Sequence, residues 1–186
     1  MKLKHISIFF IPFLLIINGC EDENSSSDND HDHDHDEIEV ITHDIDAENA
    51  SGFYYDLVAE SEVDSSSTWH ISFQMIPISA GPSTYMMPSL VLGGVYAAEY
   101  TNVAFDDMDT SPGTFMSDYF QDPTVVQYGG ANEVLSYDMQ THTVSINNSD
   151  RVFVIYEPMG HTTHKVQFIE YVGGVISFTF AHFNEQ

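Results

Sequence analysis

Apolar and polar residues alternate over much of the C-terminal two thirds of the chain. Apolar side chains occupy every second position from Trp69 to Met75, which is typical of a strand with one buried face. Residues 152–156 form a continuous apolar run, and Gly173-Gly174 separates an alternating segment at 165–168 from another apolar segment at 175–183. Because a Gly-Gly pair between two such segments indicates a hairpin, the sequence predicts antiparallel strands here.

Shorter strands are predicted at 53–58, 89–98, 124–128 and 142–147. No window carries a helical stripe longer than about two turns, and glycine and proline breakers are well spread. The segment from residue 51 to residue 186 is long enough for one hydrophobic core. The sequence therefore predicts a single all-β domain, built mostly of antiparallel strands and hairpins.

The first nineteen residues have the pattern of a lipoprotein signal peptide. Lys2 and Lys4 precede an apolar run at 6–17, which is shorter than the roughly 20 residues that span a membrane but suits a signal peptide. The run ends in Ile-Asn-Gly-Cys20, which resembles a lipobox, and Cys20 is the single cysteine. We therefore expect lipidation at Cys20 and an outer-membrane, cell-surface location; the alternative is an ordinary signal peptide followed by a free thiol.

Residues 20–50 are polar and acidic, which predicts a disordered tether. Acidic residues directly after Cys20 resemble the surface-export signal of some lipoproteins. Without the signal peptide, two cations stand against 29 carboxylates, a formal charge of −27. Such a charge repels polyanions, so it argues against nucleic acid and anionic lipid surfaces as partners, and it attracts metal ions.

Within the tether, His31, His33 and His35 alternate with aspartates. Imidazole and carboxylate groups in a flexible chain can wrap a zinc or copper ion. This tract predicts a metal-binding lipoprotein as the alternative function, and a solvated charged spacer is the other interpretation. Met159, His161 and His164 offer a second set of copper or zinc ligands, or else a polar hairpin turn.

Enzyme motifs are missing from the sequence. It has no Gly-x-Ser-x-Gly elbow and no phosphate-binding glycine loop, and no cysteine is left as a nucleophile once Cys20 is lipidated. We therefore expect a binding protein and not an enzyme.

The C-terminal motifs at 151–156, 164–171 and 173–180, with the segments at 53–57 and 68–73, resemble the HmuY-like family of haem-binding lipoproteins. The resemblance implies an all-β fold that clamps haem between finger-like β extensions. It also implies that the haem passes to an outer-membrane TonB-dependent receptor. The chain departs from the family pattern at two positions, with His70 where aspartate is usual and His164 where an aromatic residue is usual.

The same resemblance implies two axial haem ligands. Met139 is the residue that matches one of them, and Met116 is the candidate for the other, with Met108 behind it. A thioether is an accepted haem ligand, although a methionine can equally fill a gap in a core. Only Arg151 and Lys165 remain to pair with the anionic propionates.

Overall fold

The computed structural model describes residues 38–41, 52–120 and 133–183. Within these ranges the chain forms strands and no helix. The strands are β1 (Ile38–Ile41), β2 (Phe53–Asp56), β3 (Ser61–Glu62), β4 (Ile71–Ala80), β5 (Ser83–Leu92), β6 (Tyr96–Tyr100), β7 (Leu135–Asp138), β8 (Thr143–Ile146), β9 (Val152–Glu157), β10 (Thr162–Val172) and β11 (Val175–His182).

The strands form two main sheets and a separate hairpin. Sheet A has the order β1-β11-β10-β9-β6, sheet B has the order β3-β2-β4-β5, and β7 pairs with β8. Every pairing is antiparallel. The predicted all-β fold class is therefore confirmed, including the hairpin at Gly173-Gly174, where both glycines have positive φ.

The main core lies between the two sheets, as in a β-sandwich. The Tyr55 ring of sheet B meets the rings of Phe178 and Phe180 of sheet A, each with centroids 5.6 Å apart. Further along, Phe73 of β4 contacts Tyr171 of β10 at 5.8 Å. Buried aromatic pairs thus join the inner faces along the length of the sandwich.

The opposite face of sheet A is also covered. Val152 and Val154 point to this face and pack in a second apolar cluster with Phe105, Met108 and Phe183. Because both faces of β9 are buried, both sets of alternating side chains must be apolar. This burial explains the continuous apolar run at 152–156.

Two predicted strand boundaries differ from the structure. The single strand predicted at 89–98 is wrong, because the chain breaks at Gly93-Gly94 into β5 and β6. A Cβ atom on Gly93 would lie 2.3 Å from the Trp69 side chain, so only glycine fits there. The hairpin β4–β5 was only partly predicted. The alternating pattern ends at Met75, whereas β4 continues to Ala80 and β5 returns from Ser83, so that each strand has 10 residues.

The N-terminal boundary of the domain also moves. β1 pairs with β11, and Ile38 and Val40 pack against the main core, although the sequence predicts a tether over residues 38–41. The alternation of isoleucine and valine with Glu39 provides the one-sided apolar strand that this edge position requires. The signal peptide, Cys20, the histidines at 31, 33 and 35, and the strand predicted at 124–128 lie outside the described residues.

Candidate functional site

The hairpin β4–β5 continues beyond the sandwich. β2 pairs with β4 only from Ile71 to Phe73, whereas β5 accompanies β4 as far as Ala80. We call residues 76–87 the β4–β5 arm. Met86 pairs with Pro77, two positions beyond the core-packed Met75, so alternation places Met86 on the face of the arm that continues the core side. Its side chain is 40% exposed.

The hairpin β7–β8 lies at the same end of the sandwich, where β7 contacts β5. Asn147 N donates to Val134 O at 2.6 Å, and Arg151, just before β9, donates from Nη1 to Glu133 O at 2.9 Å. These bonds fix the base of the hairpin at the start of β9. β8 also contacts β10. Because β9 pairs with β10 only from Thr162 to Gln167, β8 lies beside the following part of β10, which leads to the β10–β11 turn.

The turn of this hairpin presents Met139 to solvent, with 78% of its side chain exposed. Asp138 Oδ1 accepts hydrogen bonds from Gln140 N at 2.7 Å and Thr141 N at 3.3 Å. These backbone donors favour the ionised carboxylate and lower the pKa of Asp138. The turn therefore holds an exposed thioether on a braced backbone, which is an unusual position for a methionine that serves only packing.

Met116 lies elsewhere. Its backbone forms a two-hydrogen-bond bridge with Ala97, which pairs with Ile155 in β9. Ile155 is four residues from Arg151, or about 13 Å along a strand, and the hairpin that carries Met139 extends beyond Arg151. Met116 and Met139 thus lie towards opposite ends of sheet A. Met108, at 4% exposure, is part of the second apolar cluster.

Both predicted propionate partners are engaged in the fold. Arg151 is 4% exposed and its guanidinium pairs with the Glu99 carboxylate at 2.6 Å. Lys165 is 2% exposed and donates from Nζ to Phe105 O at 2.8 Å. Because these are the only cations after Lys4 in the sequence, the surface formed by the described residues offers no exposed lysine or arginine to an anionic group.

The proposed ligand set Met159, His161 and His164 does not come together. Thr163 pairs with Tyr156, whose hydroxyl lies 2.6 Å from His161 Nδ1, whereas His164 pairs with Ile155 on the opposite face of the sheet. His164 is buried against His182, with ring centroids 5.3 Å apart. The interpretation of these residues as one metal site is therefore wrong, because strand alternation separates the two imidazoles.

Two histidines that lacked evident partners in the sequence have them in the structure. The Nδ1 of buried His70 accepts a hydrogen bond from Leu57 N at 2.9 Å, and Asp56 Oδ1 lies 3.2 Å away. Burial lowers the pKa of His70, in agreement with a neutral ring that accepts at Nδ1. Tyr137 OH lies 2.6 Å from His142 Nδ1 in the β7–β8 turn.

Within the described residues, no three histidine, cysteine or acidic residues gather in a metal-binding arrangement. The same residues include no helix with the length and apolarity that a membrane span requires.

The chain has a distant structural likeness to a solved protein. Over 81% of this chain and 97% of the other, it superposes on the crystal structure of apo PinO from Porphyromonas gingivitis with a TM-score of 0.49 and 9% sequence identity. No protein-family model matches the chain, and no curated protein sequence matches it. The all-β fold is established by the strand pairing of the chain itself.

Proposed function

We propose that this domain binds haem at the end of the sandwich where the β4–β5 arm and the hairpin β7–β8 extend, with Met139 as an axial ligand. The observation that carries the proposal is the thioether of Met139, which is 78% exposed on a turn braced by Asp138. Two projecting hairpins, each bearing an exposed methionine, suit a flat apolar macrocycle held at its iron.

The charge distribution determines how the haem would sit. The only cations beyond Lys4 are the buried Arg151 and Lys165, so the propionates would face solvent and the apolar edge of the macrocycle would face the protein. An axial thioether tends to raise the potential of the iron, which favours the ferrous state. The strongly acidic chain would repel the propionates, which suits a carrier that releases its ligand.

The cellular role that we propose follows from the N-terminal sequence and the resemblance to HmuY-like lipoproteins. Lipidation at Cys20 would hold the domain on the outer membrane, and the tether would let it face the medium. From there it would capture haem and pass it to a TonB-dependent receptor. This role depends on the haem proposal and is tested only after it.

A haemin titration of the chain from residue 21 onward tests the proposal. We expect a saturable change in the Soret band, and a ferrous spectrum with thioether coordination after dithionite. The variant Met139→Leu should lose that coordination. Met159→Leu is the matched control, because Met159 is 89% exposed in another hairpin turn at the far end of β9.

The possible results distinguish haem binding from coordination of the iron by Met139. A Soret band unchanged by the wild-type chain would reject haem binding. If Met139→Leu still binds haem and its ferrous spectrum is unaltered, the proposal of haem binding stands, but Met139 is not the axial ligand. Equal loss in both variants would indicate nonspecific contact with exposed methionines.

A further inference from the structure

Two hairpin turns of this domain have the same construction. In β7–β8 the pair Asp138 and Thr143 encloses four residues, and in β9–β10 the pair Glu157 and Thr162 encloses four residues. The sequences are Tyr-Asp-Met-Gln-Thr-His-Thr at 137–143 and Tyr-Glu-Pro-Met-Gly-His-Thr at 156–162. Each turn thus follows a tyrosine and an acidic residue, contains a methionine, and ends in a histidine.

The hydrogen bonds of the two turns also correspond. The carboxylate of the acidic residue accepts from two backbone amides, those of Gln140 and Thr141 in the first turn and those of Met159 and Gly160 in the second. The tyrosine hydroxyl lies 2.6 Å from the histidine Nδ1 in both turns. The tyrosine and histidine rings are 6.0 Å apart in the first turn and 6.1 Å apart in the second.

Both histidines have a left-handed backbone, with φ of 56° at His142 and at His161. Glycine adopts this conformation at least cost. The same conformation occurs at Glu60, the last residue of the four-residue turn between Asp56 and Ser61, so it belongs to the geometry of the turn. What distinguishes the two histidine turns is the contact between the tyrosine hydroxyl and the imidazole.

The two ring nitrogens determine what each histidine can bind. When the tyrosine oxygen accepts from Nδ1–H, the lone pair of the imidazole is on Nε2, which is the tautomer that binds metal ions. Both histidines are exposed, and the methionines of the two turns are 78% and 89% exposed. Each turn therefore offers one imidazole nitrogen and one thioether within a few residues.

We propose that each of these two turns binds one soft monovalent metal ion of the Cu(I) class through the histidine Nε2 and the methionine sulfur. Thioether ligands select Cu(I) over hard cations, and imidazole suits copper. Zinc would require four ligands, whereas the neighbouring carboxylate already accepts two backbone amides in each turn. The acidic chain raises the local concentration of cations at both turns.

The two turns relate differently to the proposed haem site. Met139 belongs to both, so haem and metal ion would compete at the β7–β8 turn. The β9–β10 turn, with Met159 and His161, is independent of the haem proposal.

The test uses the full chain labelled with ¹³C at its methionine methyl groups and titrated with Ag(I), a redox-inert probe for Cu(I) sites. We expect saturable shifts of the Met139 and Met159 methyl signals at lower Ag(I) concentration than any shift of Met116, which is 40% exposed and lies outside both turns. A residue-specific signal keeps these sites distinct from binding to the histidine-aspartate tract.

Two kinds of variant examine the ligand set. His161→Asn keeps a residue that tolerates the left-handed backbone and should abolish the saturable Met159 shift while leaving that of Met139; His142→Asn should do the reverse. Tyr156→Phe should weaken binding at Met159 by about tenfold, the usual effect of losing the partner of a ligand imidazole. Shifts of Met139 and Met159 no stronger than that of Met116, or shifts unaffected by the histidine variants, would overturn the proposal.

Discussion

Acidification from pH 7 to pH 5 is expected to destabilise the domain by about 2 kcal/mol through His164 alone. This imidazole is 4% exposed between the sheets. Burial lowers the pKa of His164 to about 4, assisted by His182 and His70, while Asp56 and Glu157 act in the opposite direction. These groups belong to β11, the segment before β4, β2 and β9, so titratable groups from four parts of the chain act on the ring.

The sign follows from proton binding in the two states. A histidine in the unfolded chain has a pKa of about 6.5, so between that value and about 4 the unfolded chain binds the proton and the folded protein does not. Stability from this group is therefore complete above pH 6.5 and is lost as the pH falls towards 4. Linkage between the two pKa values gives about 0.2 kcal/mol of loss at pH 7, about 2 at pH 5 and about 3 at pH 4.

Denaturant unfolding at several pH values measures this effect, with the fluorescence of Trp69, the single tryptophan, as the probe. In the variant His164→Gln we expect the free energy of unfolding to fall by about 2 kcal/mol less between pH 7 and pH 5 than in the wild type. His142→Gln, in an exposed turn, should follow the wild-type curve. The reasoning is refuted if the wild type and His164→Gln lose the same free energy over this range.

Three further perturbations follow from the packing. Gly93→Ala should cost about 2 kcal/mol in the free energy of unfolding and alter Trp69 fluorescence, because the new Cβ meets that ring at 2.3 Å. Gly113→Ala, with nothing within 4 Å, should change stability by less than about 0.5 kcal/mol in the same measurement. Arg151→Met should destabilise the domain by about 2 kcal/mol in urea unfolding, since it removes a buried guanidinium from its pair with the partly exposed Glu99 and from its bond to Glu133 O. Trypsin should leave the folded domain intact, because its only sites beyond Lys4 are Arg151 and Lys165, which are 4% and 2% exposed; rapid cleavage of native protein, seen by mass spectrometry, would contradict that burial.

The strands with the clearest hydrophobic pattern were predictable. β9 and β11 carry dense apolar runs, and the glycine pair between β10 and β11 marks their turn. The β4–β5 arm was not predicted from the sequence, because Pro77 and Pro88 interrupt the strand pattern. Prolines are tolerated at sheet edges, and here β5 is an edge strand while β2 stops pairing with β4 at Phe73.

The candidate sites were less accessible to sequence reasoning. Met139 was identified by resemblance, but its exposure depends on where the hairpin β7–β8 projects. Burial of Arg151 and Lys165 could not be read from residue type, because lysine and arginine are rarely buried. The shared construction of the two turns was visible in principle as tyrosine, acidic residue and histidine at equal spacing, yet the contact between each tyrosine hydroxyl and its histidine appears only in the structure.

The position of β1 has a mechanical consequence. Any pull transmitted through the N-terminal segment reaches the domain at Ile38, the first residue of a four-residue strand at the edge of sheet A. Ile38 pairs with Phe180, so the load enters at one end of a short antiparallel ladder. β11 retains its pairing with β10 when β1 detaches. Detachment of β1 would therefore leave the rest of sheet A paired, but would uncover the part of the core against which Ile38 and Val40 pack.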